Sequence, residues 1–334
     1  MRRKVFAVIQ YLFFLGVGIF LMWWQLSKMT PKETVQFKQS LLHARYIIII
    51  PVAIVALTSH WARARRWMIM IEPMGYTPST ANTFYSVMCG YLANTFIPRA
   101  GEILRCTMLG RYEKIPVNKL VGTMVTERVF DLVSYFFVIV ITILIQISTV
   151  SEFVTGKIHE IRAQHANFPW IEVSAILVAT VLIAFLLIRW LLRKYAGHRH
   201  LLTMKGIYHG LREGITTIFR LKKRKAFILW SVFIWALYLL EIYIGFYALP
   251  ATSGLGINAA FSVLSLATLA MIVAPGGLGA FPLAIQQVLL IYNIDNISLG
   301  WLIWGVTTAI IVVAGLVSLG LLIYTNRNKY ETRQ

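Results

Sequence analysis

Apolar residues run along this chain in long blocks with few polar interruptions. Blocks at 5–26, 46–67, 117–149, 171–192, 226–249 and 297–324 each approach or exceed the roughly 20 residues a helix needs to cross a bilayer. Two further apolar stretches, 80–112 and 258–293, are interrupted by Pro98-Arg99-Ala100-Gly101 and by Pro275-Gly276-Gly277-Leu278-Gly279. Proline and clustered glycine end helices, so each stretch predicts a helix, a break and a returning helix. Broken backbone at membrane depth is tolerated where protein or a water-filled cavity satisfies its polar groups. The pattern predicts an all-α integral membrane protein with about six full spans plus two re-entrant helical hairpins, forming one polytopic domain over 1–334. The run after Met1-Arg2-Arg3-Lys4 is too long for a signal peptide and lacks a small-residue cleavage site, so it predicts an uncleaved first helix. Trp23, Trp24, Trp61, Trp67, Trp170, Trp190, Trp230, Trp301 and Trp304 fall near span ends, where indole rings favour the interface; Trp235 lies deeper.

Composition supports this class. The chain is 58% hydrophobic and 13% charged, against about 25% charged for a soluble domain. Its net charge of +19 reads as basic loops meeting anionic lipid, with no nucleic-acid partner. Cys89 and Cys106 form no ligand spacing and read as buried small hydrophobes. His198, His200 and His209 sit in a basic loop and do not face one way, so neither a metal nor a cofactor is expected.

Loop charge sets a topology. Residues 189–225 carry eleven Lys or Arg against Glu213, so this segment is expected in the cytoplasm, its core at 193–225 lying on headgroups. Arg2, Arg3 and Lys4, then Arg63, Arg65 and Arg66, then the tail with Arg327, Lys329 and Arg333, are also expected inside. The balanced 150–170 connection is expected outside. Counting both broken stretches as hairpins satisfies these loops, except the mildly basic 27–45. The result is an inverted repeat, about 1–150 and 171–334, each half reading span, span, hairpin, span. In transporters, broken elements meeting near the midplane form the substrate site.

The ionisable residues inside these spans are the candidate site. Glu127, Arg128 and Asp131 share a helix face by their spacing of three and four. They read either as headgroup ligands or as an ion-pair network closed by Arg99 or Arg105. Arg99 and Glu102 flank the first break, and a planar guanidinium donates two hydrogen bonds to phosphate. Glu241 stands alone in its span, as a proton carrier, a partner for a cationic headgroup or a protonated hydrogen-bonding residue. Gly276, Gly277 and Gly279 leave backbone N–H groups for an anion or allow close helix packing. Asn94, Gln286 and Gln287 are candidate polar lining.

The ordered set of Asn94, Pro98, Arg99, Gly101, Glu102, Arg105, Glu127, Arg128, Asp131 and Pro275–Gly279 resembles the lysylphosphatidylglycerol synthase transmembrane region, or flippase-like, family over nearly the whole chain. The resemblance implies a flippase or lipid transporter moving a phospholipid, modified lipid or isoprenoid lipid between leaflets of the cytoplasmic membrane. Members often carry an acid after the glycine motif and its aromatic residue; here Pro282 follows Phe281, so no acidic role carries over. The two-domain synthases have a soluble transferase after the membrane part. This chain reaches Gln334 without one, so it is not expected to be an enzyme making aminoacyl lipid by itself. Expected partners are lipids with anionic or modified headgroups and, in one reading, a lipid-modifying enzyme for which the chain is a scaffold. An intramembrane lipid-phosphate enzyme is the other alternative, but the histidines read as lying at span ends or in loops, and neither break contains serine. No GxxxxGK[ST] signature is present, so nucleotide does not supply the energy.

The topology is directly measurable. With both termini and 193–225 inside, a single cysteine replacing Lys205 in a Cys-free background should resist a membrane-impermeant thiol reagent applied to intact cells. Labelling from outside would overturn the inverted arrangement.

Overall fold

A computed structural model describes residues 16, 18–97, 100–164 and 221–327. The chain divides into two compact units, Met1–Gln146 with Arg220–Gln334, and Ile147–Phe219. In the second, the described residues are a helical stretch to Gln164.

The described residues are helical without strands. Helix α1 covers 18–27, and α2 Pro31–Leu42, α3 Ile49–Ile71, α4 Thr80–Phe96, α5 Ala100–Glu113 and α6 Val117–Gln164 follow. After the undescribed segment come α7 Arg224–Gly245, α8 Ile257–Val273, α9 Ala280–Ile291 and α10 Ser298–Asn326. Tyr46–Met74, Val117–Ile147, Arg224–Ala248 and Ser298–Asn326 are long and apolar enough to cross a membrane. The predicted span at 171–192, the basic loop 193–220 and most of the predicted first span lie outside the described residues.

Three expectations change. The basic Arg63–Arg66 segment is not a loop, because α3 runs on to Ile71 and stops at a left-handed Gly75 (φ 85°). The 150–170 connection is helical as far as Gln164. The 27–45 connection is largely α2, which starts with a capping box: Thr30 Oγ1 accepts from the Glu33 N–H, and Glu33 accepts from the Thr30 N–H at 2.6 Å. Each capped end satisfies donors the first turn leaves open. The Thr30 N–H and then the Thr30 hydroxyl, both donating to the Glu33 carboxylate, hold that carboxyl below its ordinary pKa.

Both predicted breaks fall between helices, although Ala100 and Gly101 of the first already belong to the returning helix. Helix α4 ends at Phe96 and α5 begins at Ala100; α8 ends at Val273, a turn covers Pro275–Gly277, and α9 begins at Ala280. In the second break Gly276, Gly277 and Gly279 have φ of 60°, 69° and 70°, a region that favours glycine. Gly279 also meets α1: a Cβ there would stand 2.8 Å from the Gly18 carbonyl oxygen. In the first hairpin a Cβ on Gly101 would overlap the Gly90 carbonyl oxygen, so α4 and α5 touch through bare backbone. The Asn94 side chain accepts the Gly101 N–H at 2.8 Å, closing the start of α5.

Each hairpin sits in its own apolar core. Ala64, Trp67, Val87, Cys106, Leu109 and Leu120 bring α3–α6 together, while Phe246, Val263, Leu264, Ile285, Leu289 and Leu299 bring α7–α10 together. Cys89 and Cys106 are buried and free. Between the two, α3 packs along α7 and α4 along α10. Helix α6 is bonded to α8 by a polar seam: Tyr135 donates to the Ser265 carbonyl, Thr142 meets the Ser265 hydroxyl, and Gln146 donates to the Asn258 carbonyl. Away from these contacts Phe136, Phe137, Leu229, Val232, Val313 and Leu316 are exposed, as lipid-facing positions require.

The Gly90–Gly101 contact yields a stability test. Gly101→Ala forces α4 from α5, and overpacking of this kind costs about 1–3 kcal/mol. Gly122, on an open face of α6 with nothing within 4 Å, is the control: Gly122→Ala removes a helix penalty of up to about 1 kcal/mol. Thermal melts of detergent-solubilised protein should fall for the first and hold or rise for the second. Equal melting of Gly101→Ala and wild type would refute the close packing.

Candidate functional site

Charged side chains in a low-dielectric interior must find opposite charge or hydrogen bonds. The described spans meet this demand at one place, where α3, α5, α6 and α7 converge. Glu127, fully buried on α6, is the centre. Its Oε1 accepts from Arg63 Nη1 at 3.2 Å and Arg66 Nη2 at 3.1 Å, and its Oε2 from Arg105 Nη2 at 2.9 Å. One turn on, Asp131 Oδ1 accepts from Arg66 at 2.7 Å and Oδ2 from Arg63 at 3.0 Å. Arg63 and Arg66, three residues apart, present one face of α3 to both acids. Helix α7 completes their shells: Arg63 donates to the Tyr238 hydroxyl at 2.9 Å and Arg66 to the Ser231 hydroxyl at 3.1 Å.

Aromatic faces supply the remaining walls. Arg105 lies 4.7 Å from the Trp67 ring centre, Arg66 5.5 Å from Phe227 and Arg63 5.9 Å from Tyr91, distances at which a ring quadrupole attracts a cation. Trp67, expected at the interface, is fully buried and donates its indole N–H to Thr123. His60, expected at a span end, is buried one turn before Arg63, its ring 4.5 Å from that of Tyr91.

Arg128 differs from the other three arginines. Its Nε stands 2.7 Å from Glu102 Oε1 and its Nη1 3.6 Å from Asp131, yet 36% of its side chain is exposed, with 24% for Glu102. The side chains of Arg63, Arg66 and Arg105 are 7% exposed or less. Among the described residues, four guanidinium groups thus face three carboxylates, one positive charge in surplus. The Nε–H groups of Arg63, Arg66 and Arg105 find no acceptor among the described residues. A cluster with surplus charge, spare donors and one open arginine is suited to holding an anion at its edge.

Of the residues singled out by sequence, Glu102, Arg105, Glu127, Arg128 and Asp131 come together. Arg99 lies outside the described residues. Asn94 is engaged with Gly101, and Gly276, Gly277 and Gly279 form the second break, where the Gly276 carbonyl accepts the Trp304 indole N–H at 2.8 Å. A Cβ on Gly276 would stand 4.0 Å from the Thr95 carbonyl, so the second break packs against the end of α4 beside the first. Glu241 is one turn beyond Tyr238 and has no hydrogen bond to the cluster among the described residues. The sequence reading missed Arg63, Arg66 and Tyr238. Their signal was present: arginines three apart, continuous with an apolar run, fit a buried helix face as well as a loop.

Comparison with known proteins places these features in a family. A stretch of 75 residues is 33% identical to a UPF0104 membrane protein of Methanocaldococcus jannaschii and covers 22% of this chain and 22% of that protein. No solved structure matches the chain. The profile of the lysylphosphatidylglycerol synthase transmembrane region matches residues 8–315, which include both broken hairpins and every residue of the arginine cluster, and the chain is a multi-pass membrane protein belonging to that family.

Proposed function

We propose that this protein moves a lipid with a phosphate-bearing headgroup between leaflets of the cytoplasmic membrane. The observation that carries the reading is the arginine cluster, with one positive charge in surplus and Arg128 as its open edge. The phosphate sits against Arg128, Glu102 orients that guanidinium, and the acyl or isoprenoid tails stay in the bilayer. Glu127 and Asp131 hold the buried arginines in place.

Two helical hairpins with short arms support a reading in which both are re-entrant. The arms α4, α5, α8 and α9 have 17, 14, 17 and 12 residues, or roughly 18–26 Å at 1.5 Å per residue, short of a ~30 Å hydrocarbon core. Under an inverted repeat α3 answers to α7, the first hairpin to the second, and α6 to α10. Three contacts support that reading: α3 lies on α7, α4 lies on α10, and α8 is bonded to α6. Inverted repeats of this kind let one half rock against the other around a fixed site.

Two substitutions separate grip from framework. Arg128→Lys keeps the charge but loses the planar fork, so the protein should fold normally and translocate labelled phospholipid at least tenfold more slowly in reconstituted vesicles. Wild-type translocation by this variant would show that phosphate is not gripped there. Glu127→Gln leaves three buried guanidinium groups without their shared acid, and breaking such a buried pair costs about 3–5 kcal/mol. It should deplete folded protein, as read by size-exclusion chromatography, whereas Glu102→Gln, at a partly exposed pair worth about 0–1 kcal/mol, should leave folding intact. Lipid recovered from the vesicles should be chemically unchanged. Hydrolysed product would instead favour the enzyme reading, with buried His60 as the first residue to replace.

A further inference from the structure

A second polar site lies away from the arginine cluster. Asn82 near the start of α4 is bonded to Asn326, the last residue of α10. The arginine cluster therefore approaches that end of α10, because α3 leads into α4 there. At the other end of α10, where Asn296 Oδ1 accepts the N–H groups of Ser298 and Leu299, a cleft of about 260 Å³ lies between the end of α1, α2 and the α9–α10 connection.

The lining of this cleft is rich in amides. Gln25, Gln36, Gln286 and Gln287 contribute side chains, with Trp24 and Phe37 as flat apolar walls. Gln25 carries the argument. It is 5% exposed, it lines the cleft, and neither its amide nitrogen nor its amide oxygen has a hydrogen-bond partner among the described residues. A buried amide without partners is costly and rare in folded proteins, so its presence in a concave polar cleft points to a ligand. The charges present are Lys28 against Glu33 and Asp295. Glu33 already accepts from Thr30, and Asp295 Oδ1 accepts from Gln286 at 3.4 Å. With no arginine and a net negative balance, the cleft repels phosphate. Amides instead offer a donor and an acceptor side by side, which matches neighbouring hydroxyls that each donate and accept. The broad apolar face of Trp24 suits the C–H face of a ring.

We propose that this cleft binds a polyhydroxyl group, carried on a lipid as a sugar headgroup or present as a free sugar. The inference does not rest on the phosphate reading of the arginine cluster.

The test uses the full chain purified in a detergent without sugar and placed in phosphatidylcholine nanodiscs. Retention of a glucosyl-diacylglycerol is compared by native mass spectrometry with that of diacylglycerol bearing the same tails. The glucosylated lipid should be retained at least tenfold more strongly, and Gln25→Leu, similar in size and free of the unpaired amide, should abolish the difference. Should Gln25→Leu not fold, Gln287→Leu and Trp24→Leu at the cleft provide the same readout. Equal retention of the two lipids, or undiminished preference in the folded variants, would overturn the proposal. Competition by millimolar methyl glucoside supports recognition of the sugar itself, free or lipid-borne; persistence of the glycolipid preference without competition supports the lipid-borne form. Arg128→Lys should leave this retention unchanged, so failure of one site is distinguishable from failure of the other.

Discussion

Glu127 is the residue on which the first half of the molecule depends. Its carboxylate is shared by guanidinium groups from two helices, Arg63 and Arg66 on α3 and Arg105 on α5, while Glu127 itself belongs to α6. Removing such charges from water is expensive, and their attraction offsets the cost only with good geometry and further hydrogen bonds. Asp131, Tyr238 and Ser231 supply those bonds, and Trp67, Phe227 and Tyr91 exclude water around them. The network therefore locks four helices in register without the hydrophobic driving force that water provides to soluble bundles.

Small residues provide the second constraint. Bilayer association of helices depends on close packing, and here it occurs where side chains are missing: Gly90 on Gly101 within the first hairpin, and Gly279 on Gly18 where the second break meets α1. Pro282 lies against Gly300 on α10, with a Cβ on that glycine only 2.7 Å from the Pro282 Cα. Packing accounts for the proline at this position. The breaks are thus held by backbone contacts and by the Trp304 and Asn94 hydrogen bonds, which satisfy polar groups that lipid could not.

Charge and amide chemistry divide the described unit. On the α3–α4 side, arginine and carboxylate side chains gather into one ion-pair cluster; near the α9–α10 connection the side chains offer paired donors and acceptors with little positive charge. The two ends of α10 accordingly lie beside different side-chain chemistry.

Much of the fold was legible in the sequence because membranes impose coarse rules. Long apolar runs have to be helices, and proline with clustered glycine has to interrupt them, so the second break appeared at Pro275–Gly277 and the first between the end of α4 at Phe96 and the start of α5 at Ala100. Glu102, Arg105, Glu127, Arg128 and Asp131 were legible as a site because charge within apolar sequence needs a partner. Which partners these acids took was decided only in three dimensions. Arg63 and Arg66 carry the signature of a cytoplasmic loop by composition, and Trp67 that of an interfacial anchor. Burial against α5, α6 and α7 turned them into the framework of the site. The unpartnered amide of Gln25 is likewise a property of the assembled cleft, since one glutamine near a helix end has no local sequence signal. Local pattern determines where a helix can run and stop; which distant side chains its polar faces meet depends on the packing of all the helices together.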